Sequence, residues 1–156
     1  MNAQPAISAA RRSVTLTEAS TIVDAVLAEA RSAGLPPLTV AVLDAAGHYV
    51  ALKREDGSSL LRPEIAMGKA FGALAMGMGS RALADRAATH PAFIASVTAL
   101  AEGRLVPVPG GVLLRDNQGT LLGGVGVSGA LPDQDEACAL AGIEAAGLIG
   151  QPGGGH

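Results

Sequence analysis

Two turns of the same formula, Asp-x-x-Gly, set most of what this chain can become. Asp44-Ala45-Ala46-Gly47 stands between the runs LTVAVLD (Leu38 to Asp44) and HYVALKR (His48 to Arg54), and Asp116-Asn117-Gln118-Gly119 stands between GVLLR and TLLGGVGVS. Asp in the first position of a type I turn and Gly in the fourth, where a positive φ is wanted, make a short hairpin connection. The flanking runs are β-branched and aliphatic, so two antiparallel hairpins are predicted. The shared turn is a common solution to one problem and not a sequence repeat.

Helical spacing fills the rest. Ala19, Ile22, Val23, Val26, Leu27 and Ala30 predict a helix from Thr17 to Ala33, with Thr17 as its cap and Gly34 and Pro36-Pro37 as its stop. PEIAMGKAFGALAMGMG predicts a second helix, with Pro63 in the first turn and an end near Gly77. Shorter helices are expected over residues 80–88 and 91–101, and a last one from Asp133 to Leu148. A fifth strand is sought in residues 104–109, where Pro107 and Pro109 would confine it to an edge. Hairpins separated by a helical block imply an α/β fold, a sandwich of helices around a mostly antiparallel sheet. The expected organisation is a flexible segment over residues 1–14, a single domain over 15–149 and a flexible tail over 150–156.

Charge and composition exclude several classes of function. A net charge of −3, with no basic cluster beyond Arg11 and Arg12, lacks the footprint of a nucleic-acid binder. An aromatic content of 2% leaves nothing for bases to stack on. No apolar run approaches the roughly 20 uninterrupted residues that cross a bilayer. The single cysteine, Cys138, has no internal partner, and MNAQPAISAARRS lacks the apolar core of a secretory signal, so a cytoplasmic location is expected. Only 16% of residues are charged, against about 25% in an average soluble domain. That is too little to cover a lone monomer, and a homo-oligomer follows.

Candidate chemistry sits in two places. Lys69 is the only charged side chain between Ile65 and Gly79, on a helix made of Ala, Gly, Met, Leu and Phe. Such a lysine either runs its stem to water or is held to pair a carboxylate or meet an acidic substrate. Ala66, Ala70, Ala73 and Gly77 form a small-residue stripe beside it, suited to close helix packing. The second place is GGVGVSGALPDQDEACALAG, where a glycine-rich strand runs into a helix opened by Asp133, Asp135 and Glu136. Asp133 and Glu136 have the spacing of a capping box, and the same carboxylates are candidates for a proton shuttle or a cation contact. They argue against a phosphate at this helix start, and neither a P-loop nor a GxGxxG pattern is present. The strand glycines Gly123, Gly124 and Gly126, with Gly129 after them, serve close packing or the approach of a ligand. His48, His90 and His156 show no metal-ligand spacing, so no metal site is expected. Ser128 lacks a nucleophile elbow, and Cys138 lies in an apolar helix where a thiol is inert.

TVAVLDAAGHYVALKREDGS, then IAMGKAFGAL, then PGGVLLRDNQGTLLGGVGVSGALPDQDEACALAG resemble the successive motifs of the GlcG/HbpS-like family, whose relatives include the C-terminal domain of PduO-type proteins. The resemblance spans about residues 15–148. It implies a profilin-like α/β/α sandwich with about five strands, assembling into oligomers, and a cleft that binds haem or another small organic ligand. It places Arg54, Asp56, Gly57, Glu64, Gly126, Ser128 and Gly129 among the ligand-binding residues, beside Lys69, Asp133 and Glu136. Relatives commonly carry a methionine between the Arg and the Asp of REDGS, and Glu55 replaces it here. No histidine falls on a matched haem-ligand position, so axial ligation would fall to His48, His90, Tyr49 or one of Met67, Met76 and Met78. The alternative is a catabolic lyase, isomerase or decarboxylase, with Lys69 fixing a substrate carboxylate and Asp133 or Glu136 moving a proton.

Overall fold

Both Asp-x-x-Gly segments close as hairpin turns by the same hydrogen bonds. In the computed structural model, which describes residues 12–154, Asp44 Oδ1 accepts from the amides of Ala46 and His48, each at 2.9 Å. Asp116 Oδ1 accepts likewise from Gln118 and Thr120, at 2.9 Å each. The strands they join are β1 (Thr39–Asp44) with β2 (Tyr49–Arg54), and β3 (Gly111–Arg115) with β4 (Leu121–Ser128). β1 pairs antiparallel with β4 in the middle, and the sheet order is β2-β1-β4-β3-β5.

The fifth strand is not in residues 104–109. It is β5 (Ile149–Gln151), paired antiparallel with β3, and it takes in two residues the sequence reading assigned to a tail. Segment 104–110, with its two prolines, is instead a loop whose first part runs along the helix over residues 62–76, where Val106 N donates to Gly68 O at 3.1 Å and Leu105 faces Gly72. Residues 1–11 at the other terminus lie outside the described residues, as do 155–156, His156 among them. Ser13 and Val14 are already fixed: Val14 N donates to Leu122 O at 2.9 Å, and its side chain is buried.

The helices are α1 (Leu16–Ser32), α2 (Arg62–Met76), α3 (Ser80–Thr89), α4 (Pro91–Leu100) and α5 (Pro132–Ala145). α1 is capped by Thr15 rather than Thr17, because Glu18 lies three residues on and completes a reciprocal capping box. α5 starts at Pro132, with Leu131 as N-cap, so Asp133 is not the cap; Leu131 N is taken up by the Gln134 side chain at 3.2 Å. α1 and α5 cover one face of the sheet, and α2 covers the other, giving the α/β/α sandwich.

The two faces pack differently. Between the sheet and α1/α5 lies the main core of branched side chains, among them Ile22, Val26, Val40, Val42, Val125, Val127 and Ile143. On the α2 face the strands approach the helix backbone itself. A Cβ on Gly126 would stand 1.8 Å from Ala66 O, so only glycine fits there. Ala66, Ala70 and Ala73, the small stripe of α2, are fully buried in this contact. A satellite cluster of Leu83, Ile94 and Leu105 holds α3 and α4 against this side.

Candidate functional site

α2 lies over β1, β4 and β3 and only grazes β2, so the α2 face of β2 remains open as a shelf. Cross-strand register decides which side chains look onto it. Arg54 is opposite Thr39 and Leu52 opposite Ala41 on β1, and Thr39 is in turn opposite Ser128 on β4. Ala41 and Ser128 share the face of Gly126, which packs on α2, so Arg54, Leu52 and Tyr49 project on that same side. Tyr49 and Leu52 are exposed, as are Leu60 and Leu61 on the loop that leads into α2. Glu64, Met67 and Phe71 recur on one flank of α2, and Glu64 is close enough to Tyr49 to act on its titration. Burial first, and then the Glu64 carboxylate, push the Tyr49 phenol above its ordinary value.

At the end of this apolar strip stand two guanidinium groups held by hydroxyls and a carbonyl. Arg62 Nη1 donates to Ser128 Oγ at 3.0 Å, and its Nε to Ser59 Oγ at 3.2 Å. Arg54 Nη2 donates to Ser58 O at 2.7 Å, and Ser58 Oγ meets Thr39 Oγ1 at 3.0 Å. Thr39, Ser58 and Ser128 are all buried. Among the described residues neither arginine has a carboxylate partner. Glu55, between Arg54 and Asp56, is turned the other way: its carboxylate accepts from Leu38 N at 2.8 Å and pairs with Arg31 Nε at 2.9 Å.

Lys69 and the opening of α5 do converge, through a different carboxylate and without solvent. Lys69 Nζ donates to Asp135 Oδ2 at 3.1 Å and to Val127 O at 2.8 Å, with both side chains at or below 3% exposure. Asp135 Oδ1 accepts from Ala130 N at 2.9 Å. The pair therefore joins α2 to α5 around the end of the sheet. Burial lowers the Lys69 pKa against the pull of Asp135, and Arg62 adds to the lowering. Burial raises the Asp135 carboxyl, opposed by Lys69 and the Ala130 amide.

The remaining sequence candidates go elsewhere. Asp133 and Glu136 are clasped by Arg81 of α3: Nη2 reaches Asp133 at 2.5 Å, and Nε reaches both Glu136 oxygens at 3.0 and 3.1 Å. Lys69, Asp133 and Glu136 thus form no acid–base trio. Asp56 is exposed and unpaired among the described residues, and an added Cβ on Gly129 would stand 2.3 Å from Pro37 O, so that glycine serves close packing. Gly126 is sealed beneath α2, so the strand glycine serves packing. Cys138 is buried, which pushes its thiol up to about 11. Among the described residues no cluster of His, Cys, Asp and Glu could hold a metal ion, and no helix is long and apolar enough to cross a membrane. Sequence reasoning missed Arg62, Arg81 and the pairing role of Asp135. Pro132 at the first helical position was the available signal for the last of these, because it moves the cap to Leu131 and turns Asp135 inward.

Residues 14–144 match the protein family described as haem degrading protein HbpS-like. The chain belongs to this HbpS-like family. A crystal structure of PduOC in complex with haem superposes with a TM-score of 0.79 at 26% identity, covering 88% of this chain and 97% of that one. A double mutant of Streptomyces reticuli HbpS superposes with a TM-score of 0.75 at 28% identity, over 92% of this chain and 94% of that one. The Klebsiella pneumoniae protein ORFY shares the fold, with a TM-score of 0.80 at 21% identity over 93% and 98% of the two chains. No curated protein sequence matches the chain.

Proposed function

We propose that this HbpS-like chain binds haem on the open shelf between β2 and α2. The observation that carries the reading is the pair Arg54 and Arg62, two cations without carboxylate partners among the described residues, at the end of an apolar strip. Haem is an apolar plate with two carboxylates on one edge, and it needs apolar walls and an axial donor. Leu52, Leu60, Leu61 and Phe71 supply the walls, the two arginines take the carboxylates, and Tyr49 or Met67 offers the donor. Bound there, haem would bring the ligand-binding and redox chemistry of its iron. The relative PduOC, crystallised in complex with haem, supports the choice of ligand.

Titration with haem, followed by its Soret band, tests this. Saturable binding at micromolar haem is expected for the unaltered chain. Arg54→Ala/Arg62→Ala should weaken it at least roughly tenfold, since a hydrogen bond to a charged group contributes about 1.5–3 kcal/mol. An unchanged Soret band on adding protein, or equal affinity of the double variant, overturns the proposal.

The same reading includes a homo-oligomer. α4 has no charged residue, only Ile94 of it is buried, and Phe93 and Leu100 are 46% and 83% exposed. Such a helix face is stable in water when another subunit covers it. Light scattering at micromolar concentration should give a multiple of 15.4 kDa, and a monomer mass would remove this part of the proposal.

A further inference from the structure

Buried ion pairs seldom earn their place through stability, because desolvation offsets the attraction and a well-packed apolar pair does as well. Lys69 and Asp135 are such a pair, and room is kept for them. Gly110 sits above the ammonium at φ +122°, where an added Cβ would stand 2.9 Å from Lys69 Nζ and 2.8 Å from Val127 O. What the pair holds is backbone: Lys69 takes Val127 O, and Asp135 takes Ala130 N. Those two atoms flank Ser128, the residue whose hydroxyl accepts from Arg62.

We infer that Lys69 and Asp135 are positioning residues for the shelf's carboxylate site: by clamping the chain on both sides of Ser128 they fix the hydroxyl that aims Arg62. This rests on the haem-binding reading and adds a residue pair that never touches the ligand. The geometry is a relay of contacts from α5 to α2, then through the end of β4 to the first residue of α2. Arg62 also acts electrostatically on Lys69, which places the two cations in one neighbourhood. A carboxylate bound at Arg62 would relieve that repulsion, so an aimed guanidinium and a charged Lys69 favour the same bound state.

Removing one charge alone strands the other in the interior, so the test removes both. Lys69→Met/Asp135→Asn keeps an acceptor for Ala130 N while freeing Val127 O. Four proteins are titrated with haem: the unaltered chain, this double variant, Arg62→Ala and the triple variant. The double variant should bind about tenfold more weakly, and in the Arg62→Ala background the same change should cost nothing further. Haem dimethyl ester, whose carboxylates are blocked, should bind the unaltered chain and the double variant equally. Additive losses, or an equal loss with the ester, would show a general structural role and overturn the inference. Failure of the haem reading itself looks different, since the unaltered chain would then give no Soret change. A ligand-free readout covers that case: the Arg62 Nε–H resonance, assigned through Arg62→Lys, should be dispersed in the unaltered chain and collapse in the double variant. A resonance unchanged by the double substitution overturns the positioning role whatever the ligand.

Discussion

The two faces of the sheet are built by opposite means. Toward α1 and α5, Val40, Val42, Val125 and Val127 interlock with Ile22, Val26 and Ile143, so the layers are held apart by side-chain volume. Toward α2, glycine meets helix backbone, and the layers touch through Gly126 and Ala66. A side-chain core tolerates partial collapse around a deletion, whereas a backbone contact has nothing to rearrange. The face with no slack is also the one that carries Lys69 and the two arginines. The difference teaches that precision of placement here comes from small residues.

Neighbouring residues of β4 give the sharpest way to break this comparison. Gly126→Ala must displace α2 bodily and should cost roughly 4 kcal/mol or more, at the extreme of single substitutions. Val125→Ala, on the opposite face, only opens a cavity and should cost about 2 kcal/mol. Urea unfolding of the two variants measures both, and equal losses would mean that the faces do not differ.

The next largest effect concerns the ion pair. Lys69→Met alone should cost about 3–5 kcal/mol, because Asp135 is left in the interior without its partner. Lys69→Met/Asp135→Asn should come close to the unaltered protein, and the gap between them should depend on pH. Asp135, raised on folding, binds its proton more tightly in the folded chain, so it disfavours folding as pH climbs through the carboxylate range. Lys69, lowered on folding, releases its proton more readily, so its penalty fades as pH rises toward the ordinary lysine value. Relative to the neutral double variant, the unaltered chain should therefore be weakest around neutrality and gain at both extremes. Denaturation midpoints across a pH series check the sign, and a gap widest at either extreme contradicts it.

The smallest effect is expected at the other lysine–aspartate pair. Lys53 and Asp24 meet at 2.6 Å on the α1 side, with both side chains more than half exposed. Solvent screening leaves such a pair at about 0–1 kcal/mol. Lys53→Ala should shift the unfolding midpoint barely beyond error, and a loss matching that of Lys69→Met would show that burial does not separate the two pairs.

Legibility in the sequence follows the same division. The hairpins can be read because Asp and Gly at fixed positions impose the turn by local hydrogen bonds. The helices can be read because side-chain packing leaves a periodic pattern, clearest in α1. β5 escapes notice, since three residues of which the middle one is glycine carry no period. The candidate site is readable in part as an arrangement: Arg54, Ser128 and Lys69 stand out or match the family's motifs, and the structure gathers them at one end of the sheet. Arg62 looks like any residue before a helix-starting proline, and its role depends on Ser128, 66 positions away. Asp133 and Glu136 drew attention by charge and spacing, yet Arg81 claims them through a contact between α3 and α5 that no local pattern announces.

Glu55 carries a consequence of its own. By gripping Leu38 N and Arg31 it moors the segment that bears Arg54 to the far end of α1, before any guest arrives. A shelf made ready in this way would surrender little freedom on taking up the proposed ligand, which then need not recoup the entropy of arranging the loop. If haem binds as proposed, Glu55→Met, which has no charge with which to hold Leu38 N and Arg31, should loosen Arg54 and speed haem loss to a scavenging protein, and an unchanged dissociation rate contradicts it.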